Sequence, residues 1–282
     1  MKLTLCPIDF ETTGKEPKLC RPTELGAAIL VLKHTELDEN TEFWTQTVLA
    51  NVSKLIYAPD YEPLSEEVLE VCPHITDALL KTEGIPFVDA IKDLLAMFHY
   101  AGWPDYMIAH NAEFDEEVFR SEMGRHREQL KAELDDETLQ RLWALRWICS
   151  IRDIQYNPRF TCKKLAHLAL DHGIKMDGRT LHKAIDDVLL LVDLLDAANV
   201  KWNHVIEQFN IPFVIVKAII PSPFGKGNDG GKGKDACKAA KFKWQDIGDF
   251  NLPNSWLKKL KQDQVEVEAS ALGYPLHIVK TL

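Results

Sequence analysis

The sequence predicts an α/β fold built on a mixed sheet flanked by helices. Three observations predict it. Apolar, β-branched-rich runs open the chain at residues 3–10, 24–32 and 43–50, separated by turn residues. Beyond them the apolar periodicity becomes helical. Brief apolar strands then recur between the helical segments. Strands followed by alternating helices and strands are the pattern of an α/β domain.

In chain order, the first three runs read as an antiparallel meander, with turns at Thr13-Gly14 and Asp38-Glu39-Asn40. Residues 65–71 and 75–82 read as short helices around Cys72-Pro73. Residues 89–100 form a helix with Ile91, Leu94, Leu95 and Phe98 on one stripe. Residues 106–109 are a brief strand running into His110-Asn111, and Asn111 is placed to cap the helix that begins near Ala112. The charged stretch 124–146 is an inserted helix or helix pair. Residues 147–154 are the next strand, 161–172 a helix stopped by Gly173, and 182–198 a helix with Ile185, Val188, Leu189, Val192 and Leu195 toward the core. Near 210 the pattern changes. Residues 211–220 are apolar and extended, Pro221-Ser222-Pro223 breaks them, and Gly and Lys then dominate. The expected division is a domain over 1–210 and a small basic C-terminal module or tail over 211–282.

The composition narrows the possibilities. Of 282 residues 46% are hydrophobic, enough for a sizeable core, and no apolar run approaches the roughly 20 residues needed to span a bilayer. The apolar start of the chain stops at Asp9, so it reads as a strand and not as a leader, and a cytoplasmic protein without a membrane partner is expected. The six cysteines show no Cys-x-x-Cys spacing, which argues for reduced core residues and against a zinc site. Residues 1–210 hold 22 Lys+Arg against 36 Asp+Glu, whereas 211–282 hold 11 Lys against 7 Asp+Glu. An acidic body is an odd partner for a polyanion. Two divalent ions would add about four positive charges where they count, and the basic tail is the other source of phosphate attraction.

Three segments carry chemistry. In Asp9-Phe10-Glu11-Thr12-Thr13-Gly14, a period of two puts Asp9 and Glu11 on one face at the strand's end and Phe10 on the other. Paired carboxylates suit Mg²⁺ or Mn²⁺, and the backbone N–H groups of Thr12, Thr13 and Gly14 can approach a phosphate or sugar. In His110-Asn111-Ala112-Glu113-Phe114-Asp115, Asp115 falls in the first helical turn, where the dipole favours its ionised form. Glu113, Glu116 and Glu117 compete with it, but Glu113 and Glu116 project away. His110 reads as a structural histidine at a strand end or as a substrate contact beside Asn111 and Phe114. In His182-Lys183-Ala184-Ile185-Asp186-Asp187, His182 at the helix start can take a proton from an attacking water. Helical phasing leaves Asp186 and Asp187 as alternatives.

In order and separation these segments resemble the three exonuclease motifs of the DEDD 3′-to-5′ exonuclease superfamily. His-x-Ala-x-x-Asp matches the histidine variant, DEDDh; the tyrosine variant would need Tyr where Lys183 stands. Glu24-Leu25-Gly26-Ala27 is similar to the group's second strand. The resemblance covers roughly 1–200 and implies an RNase H-like fold with a five-stranded mixed sheet. It selects Asp187 over Asp186. It implies that Asp9, Glu11, Asp115 and Asp187 bind two metal ions, Mg²⁺ or Mn²⁺, with His182 as general base, releasing nucleoside 5′-monophosphates from nucleic acid 3′ ends. The group's apolar residue after Thr-Thr-Gly is Lys15 here, and Leu19 is its candidate substitute. DNA is the expected substrate, with an RNA 3′-to-5′ exonuclease or a polymerase-associated binding subunit as rivals.

The tail is similar, over Pro223-Phe224-Gly225-Lys226 and the Gly/Lys stretch after it, to the small module that follows the nuclease domain in exonuclease X-like proteins. It is either a solvated loop or a phosphate-gripping patch. In the second case Lys226, Lys232, Lys234, Lys238, Lys241 and Lys243 would contact phosphates, and Phe242 or Trp244 would stack on bases.

Overall fold

The computed structural model describes residues 2–38, 41–222, 230–248 and 250–282, with backbone only at 36–38 and 41–43. It divides into two compact units, Met1–Val205 and Ile206–Leu282. Among the described residues no helix is long and apolar enough to cross a membrane.

The first unit opens with β1 (Lys2–Thr12), β2 (Pro22–Asp38) and β3 (Thr41–Leu55), the expected meander with longer strands. The short helices α1 (Glu66–Val71) and α2 (Asp77–Glu83) follow, each capped at its N-terminus by a side chain, Ser65 and Thr76. Then come α3 (Phe87–Ala101), β4 (Tyr106–Ala109) and α4 (Ala112–Arg125). The charged insertion is the helix pair α5 (Arg127–Glu133) and α6 (Asp136–Trp143).

After it the chain departs from the expected elements. The strand expected over 147–154 is only β5 (Trp147–Cys149), because Asp153 folds back to accept the Cys149 N–H at 2.8 Å and turns 150–153 into the helix α7 (Ser150–Asp153). The helix expected from 161 begins four residues later as α8 (Leu165–Asp171), since Lys164 is extended at ψ 139°. Gly173, at φ +76°, ends it as expected. The last long helix is α9 (Ala184–Ala197), followed by α10 (Trp202–Asn210), which the pattern did not reveal. His182 lies outside α9, in the left-handed region at φ +60°.

The sheet order is β3-β2-β1-β4-β5. β1 pairs antiparallel with β2 and parallel with β4, so the sheet is mixed about its central strand. On one face Ile8, Phe10, Leu25, Ala27 and Ile29 pack with Phe87, Ile91, Leu94 and Phe98 of α3 in the main core. On the other face α9 lies against β1 and β2. It buries Val188, Leu190, Leu191, Val192, Leu194 and Leu195, whereas Ile185 and Leu189 are only half-buried. Gly26 makes this approach possible. A Cβ there would stand 2.4 Å from the backbone of Ala184 and Ile185.

The second unit is an antiparallel sheet of β6 (Phe213–Ala218), β7 (Lys243–Ile247), β8 (Phe250–Lys261) and β9 (Leu276–Thr281), in the order β7-β8-β6-β9. Val214, Val216, Phe242, Trp256 and Leu260 form its core with Cys237 of α11 (Lys232–Ala239) and Val265 and Leu272 of α12 (Val265–Leu272). Phe242 is thus a core residue and not a base platform: it is 4% exposed, with the Lys258 ammonium over its ring. Trp244 is half-buried and tilted onto Trp256. Lys232, Lys238, Lys241 and Lys243 are exposed and Lys234 is half-buried. Lys226 and the Pro223–Lys226 resemblance lie outside the described residues.

Candidate active site

The central strand ends where the sheet changes from antiparallel to parallel pairing, the usual place for a crevice in an open α/β sheet. Here a cleft of about 900 Å³ opens. Asp9, Glu11, Asp115, His182 and Asp187 all line it, together with Phe10, His110, Asn111 and Phe114. A smaller cavity of about 320 Å³ adjoins it through Phe10, Glu11 and Phe114, and is also lined by Thr12, Gly14 and Lys15.

Three elements hold the four acids. β1 carries Asp9 and Glu11 at its end. Asp115, in the first turn of α4, is 4% exposed and accepts the Phe10 N–H at 3.1 Å. Asp187 lies in the first turn of α9 and Asp186 points elsewhere, its Oδ2 accepting the Thr180 N–H at 3.0 Å. Ligand atoms of Glu11, His182 and Asp187 all lie within 4.8 Å of one another. His182 is held at φ +60°, a conformation that costs a non-glycine residue about 1–2 kcal/mol.

Crowding acids together has an electrostatic consequence. Burial, and then the charges of Asp115, Glu11, Asp187 and Glu24, hold the Asp9 carboxyl well above the usual carboxylate range. Burial raises Glu11 to about 7 against an opposing hydrogen bond from Cys72, and raises Asp115 to about 7 against the bond from Phe10. Asp187 is raised to about 6, again mainly by burial, although the nearby His182 opposes it. The neighbours acting on Asp9 are all acids. Such a cluster is stable as carboxylates only with cations among them. Carboxylate oxygens from Asp9, Glu11, Asp115 and Asp187, with the His182 imidazole beside them, fit hard divalent ions such as Mg²⁺ or Mn²⁺.

Other candidate residues are placed differently from expectation. Asn111 occupies the N-cap position of α4, but its side chain makes no capping bond. It is exposed at the cleft. His110 is engaged at both ring nitrogens, with Ser150 Oγ at 2.8 Å and the Lys163 carbonyl at 2.6 Å. A carbonyl only accepts, so Nε2 carries the proton, and burial lowers the pKa and favours the neutral ring. His110 therefore braces the cleft wall. The Thr13 N–H donates to Arg21 O at 2.9 Å and the Thr12 hydroxyl to Gly14 O at 2.6 Å, which leaves less of this turn for a phosphate than its sequence suggests. Glu113 and Glu116 point away as expected, paired with Arg152 and Arg120. Leu19 is 75% exposed and lines neither cavity.

Sequence reasoning missed Lys163, Lys164 and His167, which line the cleft from the segment ahead of α8 and its first turn. The adjacent lysines were the available signal, obscured by assigning them to a helix. It also missed Cys72, whose thiol donates to Glu11 Oε2 at 3.0 Å, and the buried Glu24.

No family model and no curated protein matches the chain. Solved structures do. The zinc-bound complex of E. coli exonuclease I with single-stranded DNA superposes with a TM-score of 0.54 at 15% identity, covering 96% of this chain and 68% of that one. The fold is that of exonuclease I. The exonuclease I complex with a dA16 oligonucleotide gives the same TM-score at 14% identity, with the same coverage. The exonuclease I likeness extends over residues of both compact units. The nuclease domain of 3′hExo, a DEDDh family member bound to rAMP, matches with a TM-score of 0.46 at 14% identity, covering 70% of this chain and 94% of that one.

Proposed function

We propose that the chain is a metal-dependent 3′-to-5′ exonuclease of the DEDDh type, acting on DNA 3′ ends. The observation that carries this reading is the meeting in one cleft of four carboxylates and a histidine from three distant segments, on the exonuclease I fold. Asp9, Glu11, Asp115 and Asp187 would hold two divalent ions. When bound, these polarise the scissile phosphate and stabilise the attacking and leaving oxygens.

The remaining steps belong to side chains. His182 stands exposed at the cleft, where its imidazole would take the proton of the attacking water. The charge of Asp187 beside it stabilises the imidazolium that forms. Lys163 and Lys164 bring positive charge to an otherwise acidic cleft, where the phosphate backbone would lie. Phe10 and Phe114 supply apolar walls between the two cavities, against which a terminal nucleotide can rest. The preference for DNA rests on exonuclease I, the fold neighbour bound to single-stranded DNA.

The experiment is digestion of matched 3′-labelled single-stranded DNA, duplex DNA and RNA with Mg²⁺ or Mn²⁺. Stepwise release of nucleoside 5′-monophosphates from DNA is the expected result. Faster release from RNA would reassign the substrate. Binding without release would make the chain a binding subunit.

A further inference from the structure

The Glu24 carboxylate is buried, 2% exposed, on β2, and lies opposite Glu11 in the strand register. Its oxygens are already engaged. Oε2 accepts the Ala184 N–H at 3.2 Å and lies 3.2 Å from His74 Nε2, while Oε1 accepts the Ser53 hydroxyl at 3.4 Å. Ala184 is the first residue of α9. The N-cap of that helix is Lys183, whose side chain makes no capping bond. A helix start leaves its first N–H groups without intrahelical partners and attracts negative charge. Glu24 meets both needs from 160 residues away.

The other side of the same turn is also pinned. Asp186 Oδ2 accepts the Thr180 N–H at 3.0 Å, and Lys183 N–H donates to Thr180 O at 3.2 Å. Between these two anchors sits His182 in its left-handed conformation. A strained backbone persists only where its surroundings over-determine it. Gly26, two residues along β2 from Glu24, lets the α9 backbone come close enough for the Glu24 bond to form.

We propose that Glu24 and Asp186 are positioning residues that lock the 180–184 turn and so aim His182 into the cleft. Neither is a metal ligand in this assignment. Glu24 is engaged behind the acidic cluster, and Asp186 is turned onto its own helix entry. The inference rests on the reading of His182 as general base.

The test is a double-mutant cycle on 3′-end digestion with Mn²⁺. Glu24→Ala is expected to lower kcat roughly 10- to 100-fold, the scale seen when a supporting partner of a site residue is removed, with KM little changed. Glu24→Gln keeps a carbonyl oxygen for the Ala184 N–H and is expected to recover most of the loss. In a His182→Ala background, Glu24→Ala should do little more. Losses that multiply in the double variant would overturn the proposal. Hydrogen exchange provides a readout independent of turnover: amides 182–187 should exchange faster in Glu24→Ala and regain protection in Glu24→Gln. Unchanged exchange would sink the idea. If the wild-type chain degrades no 3′ end, the nuclease reading fails, and the exchange measurement alone decides whether the turn is locked. If Glu24→Ala does not fold, Asp186→Ala at the half-buried helix start carries the same cycle, with Asp186→Asn as its rescue.

Discussion

Asp115 Oδ1 accepts the main-chain N–H of Phe10 at 3.1 Å, which ties the second acidic segment to the first across 105 residues. The bond sits between the two carboxylates of β1. It couples the position of Asp115 to those of Asp9 and Glu11 and uses only one oxygen of Asp115 to do so. Two roles therefore reside in one side chain and can be separated. Asp115→Ala leaves a buried N–H without an acceptor, which costs about 1–3 kcal/mol, and under the proposed function it also removes a metal ligand. Asp115→Asn keeps an acceptor in nearly the same shape. Both variants should lose 3′-end digestion, while thermal melting should show the alanine variant alone substantially destabilised. Equal melting of the two would mean that the Phe10 bond contributes nothing.

The acidic cluster makes metal-free stability depend on pH. Glu11 and Asp115 at about 7 and Asp187 at about 6 all lie above their ordinary values near 4. A carboxyl raised in the folded state binds protons more tightly there than in the unfolded chain. Its stabilising contribution is complete below the unfolded value and is lost as pH rises through the folded one. Between about pH 4 and 7 these groups should therefore make the metal-free protein less stable as pH rises. Mn²⁺ should reverse this, raising Tm more at pH 8 than at pH 5. Melts in chelator that show these groups adding stability toward pH 8 would contradict the assignment.

Local pattern carried much of this far. The period of two in β1, the stripe of α3 and the brief strand at 106–109 are written in neighbouring residues, and each element formed where its pattern lies. What escaped depends on partners distant in sequence. β5 is cut short by Asp153, and the helix start at Ala184 is set by Glu24 on another strand. His182 reads as a helix residue from its flanks, and only the turn around it puts it in the left-handed region. Asn111 is an ordinary capping residue by type, yet its side chain caps nothing. Cys72 carried no chemical signal in the sequence, because its relevance is its 3.0 Å bond to Glu11, 61 residues away.

His182→Gly tests strain against function. Glycine adopts a positive φ without penalty, so the variant should gain up to about 1 kcal/mol of stability. The same change removes the imidazole and should lower kcat by about 10²- to 10⁴-fold. DNA affinity measured with Ca²⁺ should stay close to wild type. A stabilised protein with undiminished kcat would exclude His182 as the base.

Gly26→Ala probes the contact between sheet and helix. Its Cβ would stand 2.4 Å from the backbone of Ala184 and Ile185, so β2 and α9 must separate. Overpacking of this kind costs about 1–3 kcal/mol. Because α9 carries Asp187, the variant should also need more Mn²⁺ for half-maximal digestion. A melt and a metal titration on the same preparation separate the two effects, and a destabilised variant with an unchanged metal requirement would show that Asp187 tolerates the shift.

The second unit concentrates lysine in an acidic protein, and Lys232, Lys238 and Lys241 stand exposed on α11 and just after it. If they contact the DNA backbone, each contact releases counterions, and the slope of log affinity against log salt should fall by about 0.7 per lysine removed for single strands. Charge reversal suits this test better than truncation, because β6 pairs with both β8 and β9 and would lose its partners in a shortened chain. Lys232→Glu, Lys238→Glu and Lys241→Glu together should weaken single-stranded DNA binding and flatten its salt dependence by about two units. Hydrolysis at saturating DNA should be unaffected, since none of the three lines the cleft. An unchanged salt slope would assign phosphate attraction to Lys163 and Lys164 at the cleft instead, where the corresponding double reversal should then carry the whole effect.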